Sequence, residues 1–110
     1  MSDQVLREFP AFEAAIQQPR VWLFKHSPIC PISRTARAEF EMFKLDYPDV
    51  PTLFVDVVNS RTLAREIADA CGVHHESPQA LLFEDGTVTW HASHSAITVA
   101  ALTAAQAPSC

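Results

Sequence analysis

The stretch "RVWLFKHSPICPIS", residues 20–33, decides the fold. Val21 to Phe24 form a short continuous apolar run, the pattern of a strand covered on both faces. Pro28 and Ile29 favour an extended chain, and Pro31 favours the first turn of a helix, where its missing N–H is not needed. The expected order is strand, tight turn, helix, with Pro31 at the first helical position and Cys30 as N-cap. First-turn amides of Ile32 and Ser33 then point toward the Cys30 sulfur, and the helix dipole favours negative charge there. A free cysteine titrates near ~8.5, and helix N-termini lower that to roughly 3.5–7.5. A reactive thiol is therefore expected at Cys30. The Ser33 hydroxyl could donate a further hydrogen bond to it, and His26 would help if protonated and close.

Working outward, the pattern alternates. Upstream, Val5, Leu6, Phe9, Phe12 and Ile16 recur at roughly helical spacing, with Pro10 in the first turn of the regular helix and Pro19 ending it. Downstream, Ile32, Ala36, Phe40, Phe43 and Tyr47 share one face of a helix from Pro31 to about Tyr47. "TLFVDVV" (52–58) reads as a second buried strand. Ser60 can cap a helix to Cys71, and Gly72 is placed to stop it. "QALLFEDGTVTWHA" (79–92) is a hairpin turning at Asp85-Gly86. Ser95 to about Gln106 reads as a last, alanine-rich helix. The expected architecture is one α/β domain over residues 1–110, ordered α-β-α-β-α-β-β-α. Its four-stranded mixed sheet has strand order 2-1-3-4 and helices on both faces. That order resembles the thioredoxin fold without its first strand.

Bulk properties narrow the function. A 110-residue chain can build one core. With 48% hydrophobic and 19% charged residues, disorder is not favoured. The net charge of −5 argues against a nucleic-acid binder, which needs cations to displace counterions. No stretch is apolar enough to span a membrane, and "MSDQVLREFP" lacks a signal core. Three cysteines without a C-x2-C spacing fit a cytoplasmic chain with reduced thiols.

Ser77-Pro78 directly precedes the third strand of this expected order, where the thioredoxin fold places a cis proline against the reactive cysteine. With no amide hydrogen, Pro78 cannot donate to the sulfur, and the backbone before it can pair with an extended substrate. Together "KHSPICPIS" (25–33), "HHESPQALLF" (74–83) and "WHASHSAIT" (90–98) resemble the monothiol bacilliredoxins, the YtxJ family of bacillithiol-system redox proteins. Two positions depart from the family pattern. Ile29 stands where a threonine is expected, and Ser95-Ala96 stand where an aromatic is common.

The resemblance implies removal of bacillithiol from protein mixed disulfides, with Cys30 as nucleophile within the Cys30, Pro31, Ile32, Ser33 motif. Bacillithiol is then a co-substrate, bacillithiolated proteins are the clients, and no bound cofactor or metal is expected. A monomer is expected. Ser33 cannot resolve a mixed disulfide, because a hydroxyl does not exchange with disulfides. Cys71 lies on the apolar face of its helix, where a free cysteine behaves as a small hydrophobe; Cys110 ends the chain. Bacillithiol carries sugar and malate groups, so its site should offer cations and donors. Lys25, His26, Arg34 and Arg37 are candidates, with His75, Ser77, Pro78 and Gln79 on the opposite wall. Three rivals stand beside this reading: a histidine-cysteine metal site, an iron–sulfur-carrying monothiol glutaredoxin, and a binding adaptor without turnover. The five histidines lack compact ligand spacing, and Pro31-Ile32 replace the glycine-phenylalanine pair usual in the iron–sulfur carriers.

Overall fold

A computed structural model of the chain describes residues 3–107. Its elements are β1 (Asp3–Val5), α1 (Phe9–Ala15), β2 (Arg20–His26), α2 (Pro31–Asp46), β3 (Thr52–Asp56), α3 (Arg61–Cys71), β4 (Gln79–Glu84), β5 (Thr87–Ser93), a 3-10 turn (His94–Ala96) and α4 (Val99–Gln106). They form one mixed sheet ordered β1-β3-β2-β4-β5. β2 runs parallel to β3 and antiparallel to β4. The expected 2-1-3-4 order is present within it as β3-β2-β4-β5.

The fifth strand corrects the expectation. Residues 3–5 lie in a helical-looking pattern but pair parallel with Thr52 to Phe54. A three-residue edge strand with every residue exposed is too short to show alternation. Polar contacts hold it instead: Thr52 Oγ1 and Lys44 Nζ both donate to the Asp3 carboxylate, each at 2.6 Å. These contacts hold the Asp3 carboxyl below its ordinary value.

Two other boundaries moved for local reasons, and one side chain left its expected face. β3 ends at Asp56, whose Oδ1 accepts from the amides of Val58 and Asn59 and turns the chain. The last helix begins at Val99 rather than Ser95, because Thr98 Oγ1 accepts from Ala101 and caps it there. Ile32 is 55% exposed and does not join the buried face of α2. By contrast, Gly72 ends α3 in the left-handed conformation, as its position suggested. Asp85 and Gly86 both take positive φ, 53° and 80°, closing the two-residue hairpin.

Side chains of the central strand alternate between two cores. Val21 and Leu23 enter an aliphatic cluster with Leu6, Phe12, Leu63, Ile67 and Leu81, under α1 and α3. Trp22 and Phe24 enter an aromatic cluster with Phe40, Phe43 and Phe54, under α2 and α4. Trp22 packs edge-on against Phe40, Phe43 and Trp90. Each fully buried side chain of this size contributes ~1.5–3 kcal/mol. Both cores grip the same strand, so its carboxyl end is a rigid platform.

Candidate functional site

β2 ends in Lys25-His26, and the turn Ser27–Cys30 carries the chain into α2. Cys30 is the N-cap of α2 with extended backbone angles, and Pro31 opens the helix. The sulfur is partly exposed and makes no capping hydrogen bond. Ile29 and Ile32, 78% and 55% exposed, flank it with apolar surface. Cys30 N–H donates to Ser27 O at 3.2 Å, and Arg34 N–H to Cys30 O at 3.2 Å.

The helix-side wall is closed by Ser33, though not as expected. Its side chain is fully buried. Its Oγ accepts from the Ser27 amide at 2.9 Å and lies 2.7 Å from His26 Nδ1. The hydroxyl is thus turned to His26 and Ser27 instead of supporting the sulfur. His26 is half-buried, and its protonation is disfavoured chiefly by desolvation and then by Arg37, against a smaller opposing pull from Asp56. A protonated His26 beside Cys30 is therefore disfavoured by its surroundings.

The pairing of Lys25 with Gln79 brings the segment before β4 beside the end of β2, as the other wall of the candidate site. Ser77-Pro78 is a cis peptide bond. Pro78 O accepts from the amide of His94, a residue in the left-handed conformation with φ 55°. Glu76 lies between His74 and His94, at 3.7 and 3.5 Å. Gln79 Nε2 donates to His74 O at 3.1 Å.

Lys25 was a candidate cation for the polar groups of the small thiol, and its burial argues against that role. The residue is fully buried, and Nζ lies 3.2 Å from His75 Nδ1. Burial pulls its ammonium down to about 8, with Cys71 and Glu76 opposing. His75 is depressed too, first by burial and then by Lys25 and Arg65. Gln79 is also buried, so neither Lys25 nor Gln79 presents its side chain to a ligand. Arg34 is exposed on the first turn of α2. Arg37 is committed elsewhere: it pairs with Glu41 at 2.8 Å and covers the Phe54 ring at 4.2 Å. The roles of Lys25, His26 and Ser33 gave no signal in sequence beyond their alternation along β2 and the helix register.

Cys71 is a free, half-buried thiol at the end of α3, packed against the aliphatic core. Cys110 lies outside the described residues. No group of three or more histidine, cysteine, aspartate or glutamate residues is placed to hold a metal among the described residues. No helix among them is long and apolar enough to cross a membrane. A groove of about 300 Å3 runs beside Ile32, between α2 and the 3-10 turn, past Thr35, Ser95 and Ile97.

Residues 4–102 match the family described as monothiol bacilliredoxin BrxC. Among solved structures, the chain superposes on a thioredoxin-fold protein described as a candidate oxidoreductase. The TM-score is 0.89 and the identity 34%, covering 96% of this chain and 95% of that one. Mitochondrial thioredoxin 3 from Saccharomyces cerevisiae matches with TM-score 0.74 and 20% identity, over 94% and 92% of the two chains. Thioredoxin O2 from Arabidopsis thaliana matches with TM-score 0.71 and 20% identity, over 94% and 90%. The two thioredoxins establish the thioredoxin fold alone.

Proposed function

The chain belongs to the monothiol bacilliredoxin family, and on that premise we propose that it removes bacillithiol from protein mixed disulfides. One observation carries the reading. An accessible thiol at the N-cap of α2 is followed, three residues on, by a buried serine whose hydroxyl is already bonded to other groups. Such a site can form a mixed disulfide, and Ser33 cannot close it.

The steps follow from thiol exchange. The Cys30 thiolate attacks the bacillithiol sulfur of the client disulfide. That S–S bond breaks, and the client cysteine leaves as a thiolate and takes a proton from solvent. Cys30 now carries bacillithiol as a mixed disulfide. A second bacillithiol thiolate attacks the bacillithiol sulfur of that disulfide, releasing oxidised bacillithiol and the Cys30 thiolate. Each client released consumes one free bacillithiol thiolate: the pair with which it attacks is balanced by the pair on which the client thiolate left, and the S–S bond passes to oxidised bacillithiol.

Pro78 forms the far wall, where the backbone of Ser77 can align an extended client segment. Of the candidate cations and donors for the sugar and malate groups, Arg34 and His75 remain accessible. The setting is the reducing cytoplasm, and the protein works as a monomer.

Mass spectrometry tests the proposal. Reduced protein mixed with a bacillithiol-modified client should gain one bacillithiol on Cys30, and Cys30→Ser should abolish the transfer. No transfer, or equal transfer to Cys71, overturns it. Glutathione conjugates reacting as fast as bacillithiol conjugates would remove the thiol specificity.

A further inference from the structure

We propose that His26 is a positioning residue for Cys30, acting through Ser33, and that its neutral form fixes the hydrogen bonds that close the Cys30 loop. The inference rests on Cys30 as the reacting thiol, and not on bacillithiol as the group it transfers.

The loop is tied at both ends. Cys30 N–H donates back to Ser27 O, and Ser27 N–H donates forward to Ser33 Oγ. An amide can only donate, so one lone pair of Ser33 Oγ is used there. The hydroxyl has one hydrogen, and the nearby acceptor is His26 Nδ1 at 2.7 Å. That bond requires Nδ1 to be bare and the ring hydrogen to sit on Nε2. Ser27, Ser33 and His26 thus form a one-way chain of donors and acceptors.

Protonating His26 reverses the last link. Nδ1 then carries a hydrogen and donates to Ser33 Oγ, which already accepts from Ser27. The serine's own hydrogen must leave its acceptor, inside a fully buried pocket. A buried donor without a partner costs about 1–3 kcal/mol. The latch therefore opposes protonation in addition to desolvation. Groups on three elements face the ring. Arg37 on α2 disfavours the charge, and Asp56 at the end of β3 favours it. Asp3 on β1 shares with His26, Arg37 and Asp56 a cavity of about 300 Å3.

This assignment gives Ser33 a purpose of its own. The position that a second redox cysteine would take is buried and holds the turn through its oxygen. A thiol is a weaker acceptor, and alanine is none. Either change loosens the segment that aims the Cys30 sulfur.

Two measurements test the proposal without bacillithiol, so its failure is separable from failure of the function proposed above. Nitrogen-15 NMR of the native protein at neutral pH should show His26 as the Nε2–H tautomer; the Nδ1–H tautomer overturns the chain of bonds. Iodoacetamide alkylation of Cys30, resolved from other thiols by peptide mass spectrometry, should then be followed between about pH 5 and 8. The native profile should show an inflection from His26 below the ordinary histidine value of 6.5, besides that of the thiol. His26→Asn keeps an acceptor near the Nδ1 position and cannot titrate, so this inflection should vanish. Ser33→Ala should also erase it and slow alkylation by about tenfold. An inflection that persists in His26→Asn, or a Ser33→Ala protein with the native rate and profile, overturns the proposal. If Ser33→Ala does not fold, the tautomer and the His26→Asn profile still decide.

Discussion

Ser33 and Ser77 stand on opposite walls of the Cys30 site, and their bonding is opposite too. Ser33 Oγ accepts from one backbone amide and contacts one imidazole nitrogen. Ser77 Oγ is buried without a hydrogen-bond partner among the described residues, and so is Gln79 Oε1 two positions on. The same contrast separates the neighbours His26 and Lys25. His26 is bound into a closed set of bonds, whereas Lys25 is a buried cation whose described partner is a neutral-leaning histidine rather than a carboxylate. The helix-side wall is therefore polar but satisfied. The wall around Pro78 carries unmet hydrogen-bonding capacity, which costs stability and leaves it less firmly determined. A thiol-exchange site benefits from that division, with the attacking sulfur held and the client side able to adjust.

The comparison can be broken in four places. The helix-side wall rests on Phe40, fully buried between Trp22, Phe24 and Phe43. Phe40→Ala should cost ~3–5 kcal/mol in urea unfolding, and a cost near that of a surface change would show that α2 is not anchored there. Lys25 comes next. Its folded value, about 8, lies below the unfolded 10.5, so the unfolded chain binds more protons between those values. Stability should accordingly rise with pH across that window, by at most about 3 kcal/mol. Lys25→Met should flatten this rise in a series of thermal melts, and an identical slope in the variant would mean the amine is not buried as described.

Ser33→Ala should destabilise by ~1–3 kcal/mol, because two buried groups lose their partner. Its mirror, Ser77→Ala, loses no bond and removes a buried unpaired hydroxyl, so it should be neutral or stabilise by up to ~1–3 kcal/mol. Equal costs for the two serines would erase the distinction between the walls.

Much of the fold was legible because local rules agreed with the global arrangement. Pro31 after Cys30, Asp85-Gly86 between apolar runs, and Gly72 after an amphipathic helix each specify their own turn. The cis bond at Ser77-Pro78 was implied by the resemblance to the thioredoxin fold, which places a cis proline before this strand. What stayed hidden lacked a local signature. Three exposed residues at the sheet edge carry no period, so the sequence shows no strand there ahead of the helix that opens at Pro10. The burial of Lys25 was masked by residue type, since lysine is rarely fully buried. Ser33 lies in the first turn of α2, as its spacing from Cys30 suggested, but its hydroxyl direction depends on His26, which arrives from β2. Tertiary pairing decides such bonds, and one chain segment does not report it.

The alternation along β2 carries a consequence for inheritance. Lys25 and His26 are neighbours in the chain yet project to opposite faces of the sheet, each fastening a different wall. Loss of a single in-frame codon between Arg20 and Phe24 would shift the register by one and exchange those faces. Both walls would fail together, along with the two cores that grip the strand. Codon loss within Asp3–Val5 would damage only an edge. Natural length variation should accordingly be tolerated in the segment encoding Asp3–Val5 and be absent from the segment encoding β2.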